Sequence, residues 1–360
     1  MNGCPVSWRL LVGVITAVLL AGCASGASST PGPATPAPTV AATSPRPPTF
    51  EVKLEESSVT YESANPVVTP DALDVYAPAK AGPWPVVVMF HGAPGSDPAT
   101  DRGYLSENAR RVAELGFVVF NASWGHTPAV ADMSWHDGLL ATQSQGACAV
   151  EFARANAAEY GGDPATIIVF GHSGGAQTAA MVAFARPEPA VGCRGGTALG
   201  AIDALVTYEG NWLLSTNMPD WDGVLADDPT VMDAITPWKY LAGHADQKVV
   251  MLVSEDPKAS LESEFPGLIV DRPVGDPWAA DSWLAVRDPS GDLRRQLKAN
   301  GALADGTVGQ ADADRLLFSV LEAQGNPVSL DVMPGSSHAY LSDAGWKVFL
   351  AAFPKAAAKD

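Results

Sequence analysis

Short, strongly apolar runs recur along residues 50–360, and longer helix-like stretches lie between most of the later ones. The strand-like runs are Phe50–Val59, Ala72–Tyr76, Pro85–Phe90, Phe117–Ala122, Thr166–Phe170, Ala204–Tyr208, Val249–Val253 and Val328–Val332. The helix-like stretches are Tyr104–Leu115, Gly138–Ala158, Ala176–Ala185, Asp312–Gln324 and Ala344–Phe353. A run such as Pro85-Val86-Val87-Val88-Met89-Phe90 is apolar at every position, as a strand covered on both faces must be. Strands alternating with helices predict an α/β fold: a mostly parallel eight-stranded sheet flanked by helices. The β-rich beginning supplies an antiparallel edge.

The N-terminal pattern is different. Arg9 precedes an apolar run from Leu10 to Leu20, then Ala21-Gly22-Cys23. The run is short for a membrane span and reads as a signal peptide over residues 1–22. Leu20-Ala21-Gly22-Cys23 resembles the lipobox of bacterial lipoproteins. That resemblance implies that Cys23 is lipidated, becomes the mature N-terminus and anchors the protein to a membrane of the cell envelope. The alternative is a plain secretory signal cut near Ala24. Residues 23–49 are almost all Ala, Ser, Thr, Pro and Gly, a composition that cannot bury enough apolar area to fold, and they read as an extended, disordered linker. Residues 50–360 suffice for one domain with room for a lid.

Composition narrows the partners. Forty acidic against 22 basic residues give a formal net charge of −18, so no basic stripe exists to bind nucleic acid, and a soluble monomer is expected. Of four cysteines, Cys4 and Cys23 belong to the leader, which leaves Cys148 and Cys193. Two leftover cysteines in an exported chain usually pair, so a Cys148–Cys193 disulfide is expected.

The chemistry centres on Gly171-His172-Ser173-Gly174-Gly175, placed directly after Thr166-Ile167-Ile168-Val169-Phe170 and before the helix-like Ala176–Ala185. A G-x-S-x-G between a buried strand and a helix is the pattern of a nucleophile elbow, which points the hydroxyl of Ser173 at a helix N-terminus able to bind an anion. A serine needs a base and an orienting carboxylate. Among six histidines, His338 is the candidate base, because it follows the last strand-like run, far downstream of the serine. His172 is expected to point away from the nucleophile, and His91 to brace its loop. His126 and His136 with Asp132 and Asp137 match no short ligand spacing, so neither a metal nor any other cofactor is expected.

His91-Gly92-Ala93-Pro94-Gly95 follows the buried run Pro85–Phe90 and resembles the His-Gly-Gly-type loop of lipases and esterases, with Ala93 in place of the second glycine. Backbone N–H groups near Gly92 and Ala93 and of Gly174 would then form the oxyanion hole. Together these pieces resemble the α/β-hydrolase family, in its esterase/lipase branch, over roughly residues 51–354. Ala155–Pro164 and Ile235–Leu241 resemble the branch's segments before the elbow strand and before the acid-bearing strand. The resemblance implies an α/β-hydrolase fold and a carboxylate at the end of Val249–Val253, followed here by Ser254-Glu255-Asp256-Pro257. Asp256 is the expected acid because the carboxylate must sit within a few residues of the strand end, where the scaffold fixes it, with Asp305 next and Glu255 third. Residues 211–242 and 260–304, both Trp-bearing, are read either as a lid over an apolar acyl pocket or as satellite clusters. The resemblance thus implies a serine hydrolase of carboxylic esters acting through an acyl-enzyme. A peptidase on the same fold, or a surface-binding lipoprotein that has lost catalysis, are the alternatives.

Overall fold

The strands in chain order are β1 (Val52–Thr60), β2 (Ala72–Pro78), β3 (Trp84–Phe90), β4 (Val118–Ala122), β5 (Gly162–His172), β6 (Ala204–Tyr208), β7 (Lys248–Ser254), β8 (Asp271–Pro273), β9 (Thr307–Gly309) and β10 (Val328–Met333). The helices are α1 (Pro98–Gly103), α2 (Ser106–Ala113), α3 (Trp135–Asn156), α4 (Gly174–Phe184), α5 (Pro257–Glu264), α6 (Gln310–Gln324) and α7 (Asp343–Ala351). This computed structural model describes residues 49–62, 71–92, 98–125, 135–210, 237–264, 271–273 and 307–353. The leader, Cys23, the linker, Ala93, His126, Asp305 and most of the two Trp-bearing stretches lie outside the described residues.

All eight expected strands join one sheet in the order β1-β2-β4-β3-β5-β6-β7-β10. β1 pairs antiparallel with β2, and β2 antiparallel with β4, while every later pairing is parallel. The wholly apolar runs are the central strands. Along β3, the alternating side chains of Val86, Val88 and Phe90 enter one core layer with Val182 and Leu316. Val87 and Met89 enter the other, with Val112, Phe349 and Phe353. Helices cover both faces, which is why no polar alternation survives in these strands. Phe170 meets Phe349 edge-on at 5.4 Å between ring centroids, and truncating such a side chain costs about 3–5 kcal/mol. β1 is the opposite case. It is an edge strand, its Lys53, Glu55 and Glu56 are exposed, and two register shifts break its ladder with β2, a combination that discourages pairing with another chain.

Boundaries depart from the expectations where turn chemistry wins over apolar content. β5 begins at Gly162, earlier than its apolar run, because Asp163 holds the local turn through Ala165 N and the Thr166 hydroxyl. α5 is an addition to the expected helices, although Asp256-Pro257 is a helix start: Asp256 Oδ1 accepts from Ala259 N at 3.0 Å, and Pro257 occupies the first helical position. The three-residue β8 and β9 pair antiparallel and are too short and polar to stand out in the sequence. Cys148 on α3 and Cys193 beyond α4 form the expected disulfide, with Cα atoms 5.4 Å apart across 45 residues of sequence.

Candidate active site

The turn between β5 and α4 forces Ser173 to φ 54° and ψ −122°, a conformation that only glycine adopts cheaply. Its N–H is tied to Tyr208 O on β6 at 2.9 Å, and its side chain makes no capping bond to its own helix. The flanking glycines are required by space. A Cβ on Gly171 would stand 2.1 Å from Gly175 O, and one on Gly175 would stand 2.0 Å from His91 O. The elbow therefore packs directly against the end of β3. Gly92 is there too, since a Cβ on it would lie 3.6 Å from Ser173 Cβ. Gly92 thus lies beside the serine and Gly174 follows it at the start of α4, whereas Ala93 is outside the described residues. His91 donates from Nδ1 to Gly92 O at 2.8 Å and stacks on Trp124, whose indole N–H returns a bond to His91 O at 3.0 Å. It braces the loop.

His338 sits in the loop that follows β10 and is buried. The residue before the serine reaches this loop: His172 donates from Nε2 to His338 O at 2.8 Å, and their rings lie 4.7 Å apart. His172 thus supports the loop that carries His338. Burial, then the positive charge that His338 can carry, pull its pKa well below the ordinary imidazole value. It stays neutral, with the proton on Nε2 fixed by the carbonyl it serves. Tyr208, whose ring packs on His172 at 4.9 Å, donates its hydroxyl to Ser337 O. Burial first, then the charges of Glu209 and Glu264, raise that phenol far above its ordinary pKa, so it remains a donor.

The structure corrects the choice of acid. The carboxylate on His338 is Glu209, whose Oε2 accepts from Nδ1 at 2.6 Å with both side chains buried. Asp256, the expected acid, instead caps α5. Glu255 accepts from Gly335 N at 3.0 Å, and Asp305 is outside the described residues. Glu209 directly follows β6, and its second oxygen accepts from Ser254 N at 2.8 Å. Its backbone is strained as well, at φ 45°, and its N–H is bound by Leu252 O at 2.9 Å. In the sheet order β6 lies between β5 and β7, so an acid on β6 is one strand nearer the serine than one on β7, about 4.8 Å closer. The available signal is Tyr208-Glu209-Gly210, an acid directly at the carboxyl end of an apolar parallel strand. The proton on Nδ1 leaves the other ring nitrogen of His338 able to accept one, which is the tautomer a general base for a hydroxyl needs.

Comparisons with known proteins bear on the fold and the class of protein. A family model described as BD-FAE matches residues 73–199, the part that holds β2 through the elbow helix. Over 160 residues the chain is 26% identical to esterase LipQ of Mycobacterium tuberculosis, covering 41% of this chain and 36% of that protein. Among solved structures, esterase 2 of Thermogutta terrifontis phosphonylated by cyclosarin superposes with a TM-score of 0.52 at 16% identity, over 85% of this chain and 92% of that one. The butyrate-bound form of an esterase from the same organism gives 0.51 at 17% identity, over 85% and 92%. At these identities the structures speak for the fold, which is that of an α/β-hydrolase.

Proposed function

We propose that this chain, an α/β-hydrolase of the esterase/lipase type, cleaves carboxylic esters through a Ser173–His338–Glu209 triad. The observation that carries the reading is the buried 2.6 Å bond from His338 Nδ1 to Glu209 Oε2, set beside a serine held at φ 54°. In the first half-reaction Ser173 Oγ attacks the ester carbonyl carbon while His338 Nε2 takes its proton. The tetrahedral oxyanion accepts from the N–H of Gly174 at the start of α4 and from N–H groups of the loop at Gly92 and Ala93. Collapse breaks the carbon–alkoxy bond, and His338 returns the proton to the departing alcohol. Water, deprotonated by His338, then attacks the acyl carbon, and collapse breaks its bond to Ser173 Oγ as His338 returns the proton to that oxygen. Glu209 holds the ring tautomer throughout and stabilises the imidazolium that forms twice per cycle. None of these steps calls on a metal or a cofactor.

The names of the relatives, esterases in each case, support the ester class. An inactive binding protein is disfavoured by a buried acid–histidine pair and a strained serine, both costly to keep without use. The test is labelling of the full chain with a fluorophosphonate probe beside hydrolysis of p-nitrophenyl butyrate. Wild type should label and turn over, and Ser173→Ala and His338→Ala should do neither. A folded wild type that does neither sinks the reading.

The N-terminal pattern supports a second part of the proposal: export, and attachment to a membrane of the cell envelope through acyl chains on Cys23, with residues 23–49 as tether. Radiolabelled palmitate should enter the wild-type chain and not Cys23→Ala. Equal incorporation in both would dismiss the anchor.

A further inference from the structure

We propose that the segment Ser254–Glu264 positions the catalytic pair, with Ser260 as the residue that holds His338 in place. The inference rests on the reading of His338 as general base. His338 lies on a loop, and a base on a loop delivers its ring nitrogen accurately only if its main chain is fixed. Its carbonyl is held by His172, and its N–H donates to Ser260 Oγ at 2.6 Å. Ser260 is itself buried, and its hydroxyl proton goes to Glu264 Oε1 at 3.2 Å one helical turn on. With its proton committed to Glu264, the hydroxyl presents a lone pair to the His338 amide and has no reason to rotate.

The same segment reaches the acid. Its first residue gives Ser254 N–H to Glu209 Oε1 at 2.8 Å, and its second, Glu255, accepts from Gly335 N at 3.0 Å in the histidine's own loop. Between them and Ser260, the Asp256 cap and the bond from Ser260 N to Asp256 O at 3.1 Å fix where α5 starts. One stretch of chain therefore holds Glu209 by a backbone N–H and His338 by a side-chain hydroxyl. The distance between acid and base is set by its geometry, and the Nδ1–Oε2 bond is its readout.

Ser260→Ala should lower kcat for p-nitrophenyl butyrate roughly 10- to 100-fold while KM stays within about 2-fold, since a displaced base weakens the transition state and not substrate binding. A brace that served stability alone would leave two other signals unmoved. These are the low-field proton resonance of His338 Nδ1–H and the acidic limb of the kcat/KM pH profile, and both should shift in Ser260→Ala. Ser260→Thr keeps the hydroxyl and should restore kcat to within about 5-fold and return both signals. If Ser260→Ala fails to fold by circular dichroism, Glu264→Ala decides. It frees the hydroxyl to rotate, and should lower kcat roughly 3- to 10-fold with a smaller shift of the same resonance. An unchanged kcat in the folded variant, or a loss with both signals unmoved, overturns the inference. Wild type that neither labels nor turns over would overturn the functional reading instead, so the two failures are told apart.

Discussion

Glu209 and Glu62 are both buried glutamates just beyond the end of a strand, and they have been provided for in opposite ways. Glu209 receives the Ser254 N–H on one oxygen and the His338 ring on the other, so each lone-pair face meets a donor and one donor can become a cation. Glu62, after β1, receives Gln145 Nε2 at 2.7 Å and Asp71 N at 3.3 Å on the same oxygen, and neither donor brings positive charge. Burial, with Asp71's negative charge adding to it, pushes the Glu62 carboxyl up to about 7. The contrast shows that depth alone does not decide what a buried acid does. A carboxylate given a donor that can become a cation is suited to stay ionised and orient it, whereas one given only neutral amides becomes a group that resists ionising.

The sharpest way to break the comparison is to neutralise each acid in turn. Glu209→Gln should lower kcat by about 10³- to 10⁴-fold, because an amide cannot stabilise the imidazolium. Glu62→Gln should leave kcat within about 2-fold in the same p-nitrophenyl assay. Near-equal effects would erase the distinction.

Next in size is the disulfide beside Glu62, whose backbone forms an isolated bridge with Cys193. Replacing Cys148 and Cys193 by Ser should cost about 2–4 kcal/mol in urea unfolding, as should reduction of the wild type. Activity at 25 °C should persist, since no residue of the triad is touched.

A pH dependence separates the two acids further. Glu62 ionises near 4.5 in the unfolded chain and near 7 in the folded one, so between those values the folded state binds the extra proton. Stability from this group is therefore present at low pH and is lost as pH rises through about 7. Glu62→Gln, which keeps the acceptor for Gln145, should raise Tm at pH 8 and not at pH 4. A gain at pH 4 as large as that at pH 8 would assign the effect to packing. The smallest effect belongs to Asp256→Ala, which removes a helix cap: about 1 kcal/mol of stability by denaturant midpoint, with less than about 10-fold loss of kcat. A loss as deep as that of Glu209→Gln would restore Asp256 as the acid.

Much of the fold and part of the site are legible in the sequence. The sheet is, because parallel strands buried on both faces must be apolar throughout, and Val86–Phe90 or Ile167–Phe170 admit no other reading. Ser173 and His338 are, because elbow and last-strand loop are local patterns. The acid is not. A carboxylate declares no role by its neighbours, and the family's usual position points to the neighbouring strand. Tyr208-Glu209-Gly210 marks an acid at the end of β6 and Asp256-Pro257 marks a helix start, but neither local pattern says which of the two carboxylates reaches the histidine. The supports of His338 are hidden for the same reason: Ser260 meets it across 78 residues and His172 across 166.

The conformation of Ser173 has a consequence for anyone who selects variants of this protein. An L-residue at φ 54°, ψ −122° stores about 1–3 kcal/mol, which Ser173→Gly would release. The dead variant should then outlast the active one on heating. A thermal screen run without an activity readout would reward erasing the nucleophile, and any lineage that keeps the serine under such pressure is reporting that its hydroxyl is in use.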